Sequence, residues 1–173
     1  MAVRDILLHP DVRLKKPCEP VAEVTDAVQT LANDMLETMY AAPGVGLAAP
    51  QVGVLSRLFV MDCTDREEET TQPMVLINPE IIWSSEEVST YEEGCLSIPD
   101  LYGDVTRPQS VTVRYRGIDG AEKEETFEGL WATCAQHEID HLDGKLFIDY
   151  LSALKRQMIT TKMKKLKKER ARA

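Results

Sequence analysis

At 173 residues the chain is the size of one domain of about 150 residues, long enough to bury a core and a site. Hydrophobic residues at 43% and charged residues at 28% exclude disordered, collagen-like and low-complexity architectures. No apolar run approaches the roughly 18 residues of a membrane span, and Met1 to Pro10 holds no more than three consecutive apolar residues before its charged residues and the His9-Pro10 break, which argues against a signal or transit peptide and for a cytoplasmic protein.

The formal charge of -9 is unevenly divided. Lys155 to Ala173 holds nine basic residues and one acid, a net +8, so residues 1–154 carry -17. Such a body repels nucleic acid, and the tail alone can bind it. Cys18, Cys63, Cys95 and Cys134 form no C-x-x-C pair, which suggests neither a disulfide framework nor a zinc ribbon.

In chain order, Val28, Leu31, Ala32, Met35, Leu36 and Met39 give a helical stripe over Val24 to Tyr40, capped by Thr25 or Asp26 and ended at Pro43-Gly44. Strand-type runs follow at Arg57 to Asp62, at Met74 to Trp83 with an interrupting Asn-Pro, and at Glu86 to Tyr91. Thr64 to Gln72, rich in Glu, reads as an exposed loop. Ser110 to Arg116 alternates and turns through Ile118 to Ala121 into Glu122 to Phe127, a hairpin. A second helix runs from about Gly129 to Leu142. A third starts near Ser152 and enters the basic tail with a weak apolar side of Leu154, Met158, Thr161 or Lys162, Lys165 and Leu166. Antiparallel strands between helices, without regular β-α-β alternation, predict an α+β domain.

The strongest chemical signal is His137-Glu-Ile-Asp-His141 on the second helix. Residues i and i+4 lie about 40° apart round a helix, so both imidazoles can share a metal while Glu138 reaches a water beside it. Catalytic metal sites of this type take a third protein ligand. No histidine follows His141, and the better candidate is upstream: Cys95 in Glu92-Glu-Gly-Cys-Leu-Ser97. A thiolate with two imidazoles suits Fe(II), Zn(II), Co(II) or Ni(II) and disfavours Mg(II) and Ca(II). Gly44-Val-Gly-Leu-Ala-Ala-Pro-Gln51 lacks the features of a phosphate loop; its small residues admit a substrate backbone, and Gln51 can donate to an oxyanion. Cys18 and Cys63 read as core or surface thiols, and His9, before Pro10, as a turn residue.

Together, Gly44-x-Gly-x-Ala-Ala-x-Gln51, Glu93-Gly-Cys-Leu-Ser97 and Gln136-His-Glu-x-Asp-His141 resemble the three motifs of the peptide deformylases. The resemblance implies antiparallel sheets around a central helix that bears His137 and His141, with a C-terminal helix. It implies one catalytic domain over 1–173, with 152–173 as its basic helix or tail, and a hydrolase that removes the formyl group from the N-terminal formyl-methionine of new polypeptides. Carried onto this chain, Cys95, His137 and His141 hold Fe2+, with Zn2+, Ni2+ or Co2+ as substitutes. Glu138 moves the proton of the attacking water, and Gln51 and the Leu96 backbone N–H stabilise the oxyanion. Val45, Tyr91, Leu130, Cys134 and the ring edge of His137 line a methionine slot, flanked by Glu93 and Gly46. Asp140, pointing away from the metal, is expected to pair with Arg107. The resemblance further implies a monomer of the bacterial cytoplasm that makes no membrane contact and docks on the ribosome through Lys155–Arg172. An H-E-x-x-H protease of internal peptide bonds and a non-catalytic ribosome-bound module are the competing readings.

Overall fold

A computed structural model describes residues 2–68 and 70–173. The first helix, α1, spans Asp26–Ala41, and Thr25 caps it by accepting from the Val28 amide at 3.3 Å. It buries Leu31, Ala32, Met35 and Met39 against β1 (Gly46–Ala48) and β2 (Leu58–Met61). The leucine and the two methionines each contribute on the order of 1.5–3 kcal/mol through burial.

β1 and β2 pair in a five-stranded antiparallel sheet with β3 (Met74–Ser84), β6 (Ser110–Arg116) and β7 (Glu122–Glu128), in the order β1-β2-β3-β6-β7. The Asn-Pro step is absorbed as a bulge in β3: Asn78 sits at φ 51°, and its amide accepts from the Val21 N–H and donates to the Val21 carbonyl, each at 2.8 Å. Tyr115, buried on β6, donates to Glu125 at 3.0 Å. Burial and that carboxylate push its phenol up to about 12. A raised tyrosine pKa means the native state favours the protonated form, so this stabilisation is whole below about pH 10 and is lost as pH rises through 12. The urea midpoint is therefore expected to fall between pH 10 and 12, and less so in Tyr115→Phe.

A separate hairpin pairs β4 (Val88–Cys95) with β5 (Ile98–Pro108). Two sequence expectations change here. The strand expected to end at Tyr91 continues through Glu92-Glu93-Gly94 to Cys95, because Glu92 and Glu93 find Asp104 and Gly103 across the ladder. Ile98–Pro108 gave no strand signal, since its two prolines and Gly103 read as loop. Yet both prolines lie near its ends, where a missing N–H costs little, and Leu101, Gly103, Val105 and Arg107 alternate inward.

Helix α2 (Gly129–Leu142) runs between sheet and hairpin, packs on β1, β2, β5 and β7, and is buried over most of its length. Gly129 at φ 60° lets the chain turn from β7 straight into it. Helix α3 (Ala153–Arg172) starts at Ser152, whose hydroxyl accepts from the Lys155 amide. Its buried side is Ile159 and Met163 with half-buried Leu166; of the expected stripe only Leu166 lies on it, since Leu154, Met158, Thr161, Lys162 and Lys165 are exposed. Spacing alone could not tell two faint stripes apart; the partner surface of Leu14, Phe147 and Ile148 chose one. His9 lies in a turn, as expected, and also takes part in that docking: it is buried, with Nε2 2.9 Å from Thr160 Oγ1. The expected loop at 64–72 is exposed over most of its described residues, with Glu69 outside them. Cys18 is buried and Cys63 half-buried, and both are free thiols. Among the described residues no helix is long and apolar enough to cross a membrane.

Candidate metal centre

Helical periodicity puts His137 and His141 on one face of α2, and the β4–β5 hairpin brings Cys95 to them from its turn. His137 Nε2 and His141 Nε2 stand 3.2 Å apart, and Cys95 Sγ is 3.4 Å from His141 Nε2. All three ligand atoms lie within 4.8 Å of one another, the one such cluster among the described residues. Two imidazole nitrogens and a sulfur aimed at a common point are poorly satisfied by protons and well satisfied by a transition-metal ion, so the residues fit the metal that the motifs imply.

Glu138 lies against this cluster, buried, with Oε1 3.7 Å from His137 Nε2 and Oε2 without a hydrogen-bond partner among the described residues. Burial, helped by the charges of Glu93 and Asp140, pushes its carboxyl up to about 7, even though His137 and Arg107 oppose the shift. The same burial lowers His141, as does the neighbouring His137.

The expected pair of Asp140 and Arg107 is present, with Arg107 donating at 2.8 Å. It belongs to a longer chain. Arg107 grips Glu93 through two bonds of 2.7 and 3.0 Å, and Glu93 Oε1 is 2.9 Å from His137 Nδ1. Beyond Asp140, the Tyr150 hydroxyl donates to it at 2.7 Å, and the Tyr150 ring stacks 4.8 Å from the guanidinium. Burial alone would raise the Glu93 carboxyl, but the bonds from His137 and Arg107 hold it below the usual carboxylate range. Glu93, expected to flank a substrate, thus turns its carboxylate inward to fix the ring of His137, although the residue still borders the cleft. The neighbour of a ligand that orients its ring is a common feature of metal sites. Tyr150 was missed, because a tyrosine after the second helix carries no motif.

The cluster opens into a cleft of about 910 Å³, bordered by Val45, Gly46, Gln51, Tyr91, Glu93, Cys95, Leu96, Leu130, Cys134, His137 and Glu138. Every residue expected at the site borders it except His141, which is buried behind. Gln51 is held on both sides: its Oε1 accepts from the Ala48 amide at 2.9 Å, and its Nε2 donates to Ser97 Oγ at 3.1 Å and lies 3.5 Å from Cys95 Sγ. The small residues of this strip serve close packing first. A Cβ at Gly46 would come within 2.7 Å of Cys134 Sγ and 3.1 Å of Glu138, and one at Gly44 within 2.7 Å of Leu96. The cleft also takes in Val3 to Ile6, Pro99, Tyr102 and Arg170. Sequence reasoning missed these, since the N-terminal segment and the end of α3 reach the cleft only through tertiary packing.

Two histidines one helical turn apart, a cysteine across from them and a buried glutamate beside them define a metallohydrolase centre. The model of the family described as polypeptide deformylase matches residues 3–157. The peptide deformylase of Afipia carboxidovorans is 55% identical over 168 residues, which cover 97% of this chain and 98% of that protein. Among solved structures, the peptide deformylase of Legionella pneumophila superposes with a TM-score of 0.90 at 49% identity, covering 99% of each chain. That of Ehrlichia chaffeensis in complex with actinonin has a TM-score of 0.91 at 42% identity, covering 95% of this chain and 98% of that one. The chain belongs to the polypeptide deformylase family.

Proposed function

We propose that the protein hydrolyses the N-formyl group of formyl-methionyl peptides, releasing formate and a peptide with a free methionine amine. The observation that carries this reading is the convergence of Cys95, His137 and His141 beside Glu138 in a cleft open to a peptide. A bound ion, which we assign as Fe2+ with Zn2+, Ni2+ or Co2+ as substitutes, supplies Lewis acidity to the formyl group and the attacking water. Glu138 takes the proton of that water and returns it to the leaving amine. A carboxyl raised to about 7 suits both halves of the task near neutral pH.

As the carbonyl becomes tetrahedral, negative charge grows on the formyl oxygen. The Gln51 amide and the Leu96 backbone N–H are the donors we assign to it, each worth about 100- to 1,000-fold in rate. Because Ala48 and Ser97 hold Gln51, little reorganisation is needed when that charge forms. Val45, Tyr91, Leu130, Cys134 and the His137 ring edge receive the methionine side chain, with Gly46 beside the peptide. His137 is held in orientation by Glu93. The chain acts as one catalytic domain over 1–173 and as a monomer, in the cytoplasm of a bacterium.

Formate release from a formyl-Met tripeptide, compared with its acetyl-Met analogue, tests the reading. Turnover of the formyl substrate alone is expected; equal turnover of both, or digestion of casein, would point to a broader peptidase.

We further assign the exposed basic side of α3 to docking on ribosomal RNA, supported by the contrast between a tail of +8 and a body of -17. Such contacts are salt-sensitive. Deleting 160–173 would also remove buried Met163 and the Thr160 contact to His9, so the informative variant replaces exposed Lys162, Lys164, Lys165 and Lys168 by Gln. Weaker co-sedimentation with ribosomes at low salt, with unchanged turnover of the tripeptide, is the expected outcome. Equal co-sedimentation would refute the docking.

A further inference from the structure

One wall of the cleft is held by few backbone bonds. After α1 ends, Ala42 to Val45 pass through a turn before β1, and all four residues border the cleft. Pro43 has no amide hydrogen to give, and the Gly44 amide donates back to Met39 at 2.8 Å. Two carbonyls of this turn, those of Gly44 and Val45, are met by the loop after β2. The Asp62 amide donates to the Val45 carbonyl at 2.8 Å, and Arg66 Nη2 donates to the Gly44 carbonyl at 2.8 Å. The Cys134 thiol adds a longer contact to Val45 at 3.7 Å.

Arg66 is itself held in place. Its guanidinium lies over the Tyr40 ring at 4.9 Å, and the Tyr40 hydroxyl donates to Asp62 at 2.7 Å. Asp62, fully buried, also accepts from the Thr64 amide at 3.0 Å, the Thr64 hydroxyl at 2.6 Å and the Gln72 amide at 3.1 Å. One buried carboxylate therefore ties both ends of the 62–72 loop and the ring on which the arginine rests. The far side of the wall is fixed as well, because Gly44 packs so closely on Leu96 that a Cβ would come within 2.7 Å.

We propose that Arg66 is a positioning residue for the substrate: through the Gly44 carbonyl it holds the Gly44–Val45 wall against Leu96 and so sets the width of the slot that receives the first side chain of the peptide. The inference rests on reading the cleft as the formyl-peptide site. It gives a function to a loop whose composition suggests only a solvated excursion. Arg66 touches no reacting atom, so its removal should act on binding and leave the chemical step alone.

The test compares the parent with Arg66→Ala and Arg66→Lys by kcat and KM for a formyl-Met tripeptide and by amide hydrogen exchange of residues 42–47. Loss of a hydrogen bond from a charged donor at a partly solvated position corresponds to about five- to tenfold in binding. Arg66→Ala is expected to raise KM about five- to tenfold with kcat within about twofold, and to speed exchange across 42–47. Arg66→Lys, which keeps a donor but loses the planar stack on Tyr40, is expected to fall between the two. A parental KM for Arg66→Ala, a fall in kcat without a change in KM, or parental exchange at 42–47 would overturn the proposal. Exchange is read without turnover. A parent inactive on the tripeptide but with faster exchange in Arg66→Ala would overturn the substrate reading while leaving the clamp standing.

Discussion

Glu138→Ala and Glu138→Gln are both expected to lower formate release from a formyl-Met tripeptide by about 100- to 10,000-fold, the range general acid–base groups contribute, with bound metal at the parental level. Glu138 is buried, Oε2 has no hydrogen-bond partner among the described residues, and burial pushes the carboxyl up to about 7. A buried carboxyl oxygen without a hydrogen-bond partner is a cost to stability that a proton-transfer role explains. The glutamine variant separates chemistry from packing. It keeps the volume that fits against Gly46, where a Cβ would come within 3.1 Å of Glu138, and loses only the ability to take and return a proton. An active Glu138→Gln enzyme would remove Glu138 from the mechanism.

Arg107→Met is expected to destabilise the fold by about 3–5 kcal/mol, the usual consequence of leaving buried charges without their partner. Arg107 is 5% exposed and meets two carboxylates at once, Glu93 at 2.7 Å and Asp140 at 2.8 Å. Methionine fills similar space but leaves both acids facing an apolar side chain. The damage should reach the metal. Without Arg107, Glu93 no longer holds His137 Nδ1 in one position, and loss of such a support commonly lowers metal affinity about 10- to 100-fold. Tyr150→Phe removes only the outermost hydroxyl, from a residue 49% exposed, and should cost about 0.5–1.5 kcal/mol. Urea unfolding and metal competition measure the two effects. If Arg107→Met unfolds within about 1 kcal/mol of the parent, the network is not what holds α2 against the hairpin.

The parts of this molecule that could be read from its sequence are those where chemistry is local. The spacing of His137 and His141 on a helix, the capping threonine of α1, the alternation of β6 and the turn at Asp119-Gly120 each follow from neighbours along the chain. The pairing of Asp140 with Arg107 was legible too, because the helix direction left Asp140 facing away from the metal. Other features depend on distant partners. β5 is extended because β4 lies beside it, although its own Pro99, Gly103 and Pro108 argue for a loop. The inward turn of Glu93 follows from Arg107, 14 residues away. The buried face of α3 was chosen by the core it docks on, not by its own faint stripe. The arginine that braces the cleft wall lies in a segment whose composition suggests nothing but exposure.

The most direct test of the account is an anaerobic titration of metal-free protein with Fe(II), read as formate released from a formyl-Met tripeptide. If Cys95, His137 and His141 hold the ion that supports the reaction, formate release rises in proportion to added metal, levels off at one equivalent, and is abolished in Cys95→Ala. Turnover by the metal-free protein, or none with one equivalent bound, would contradict the account.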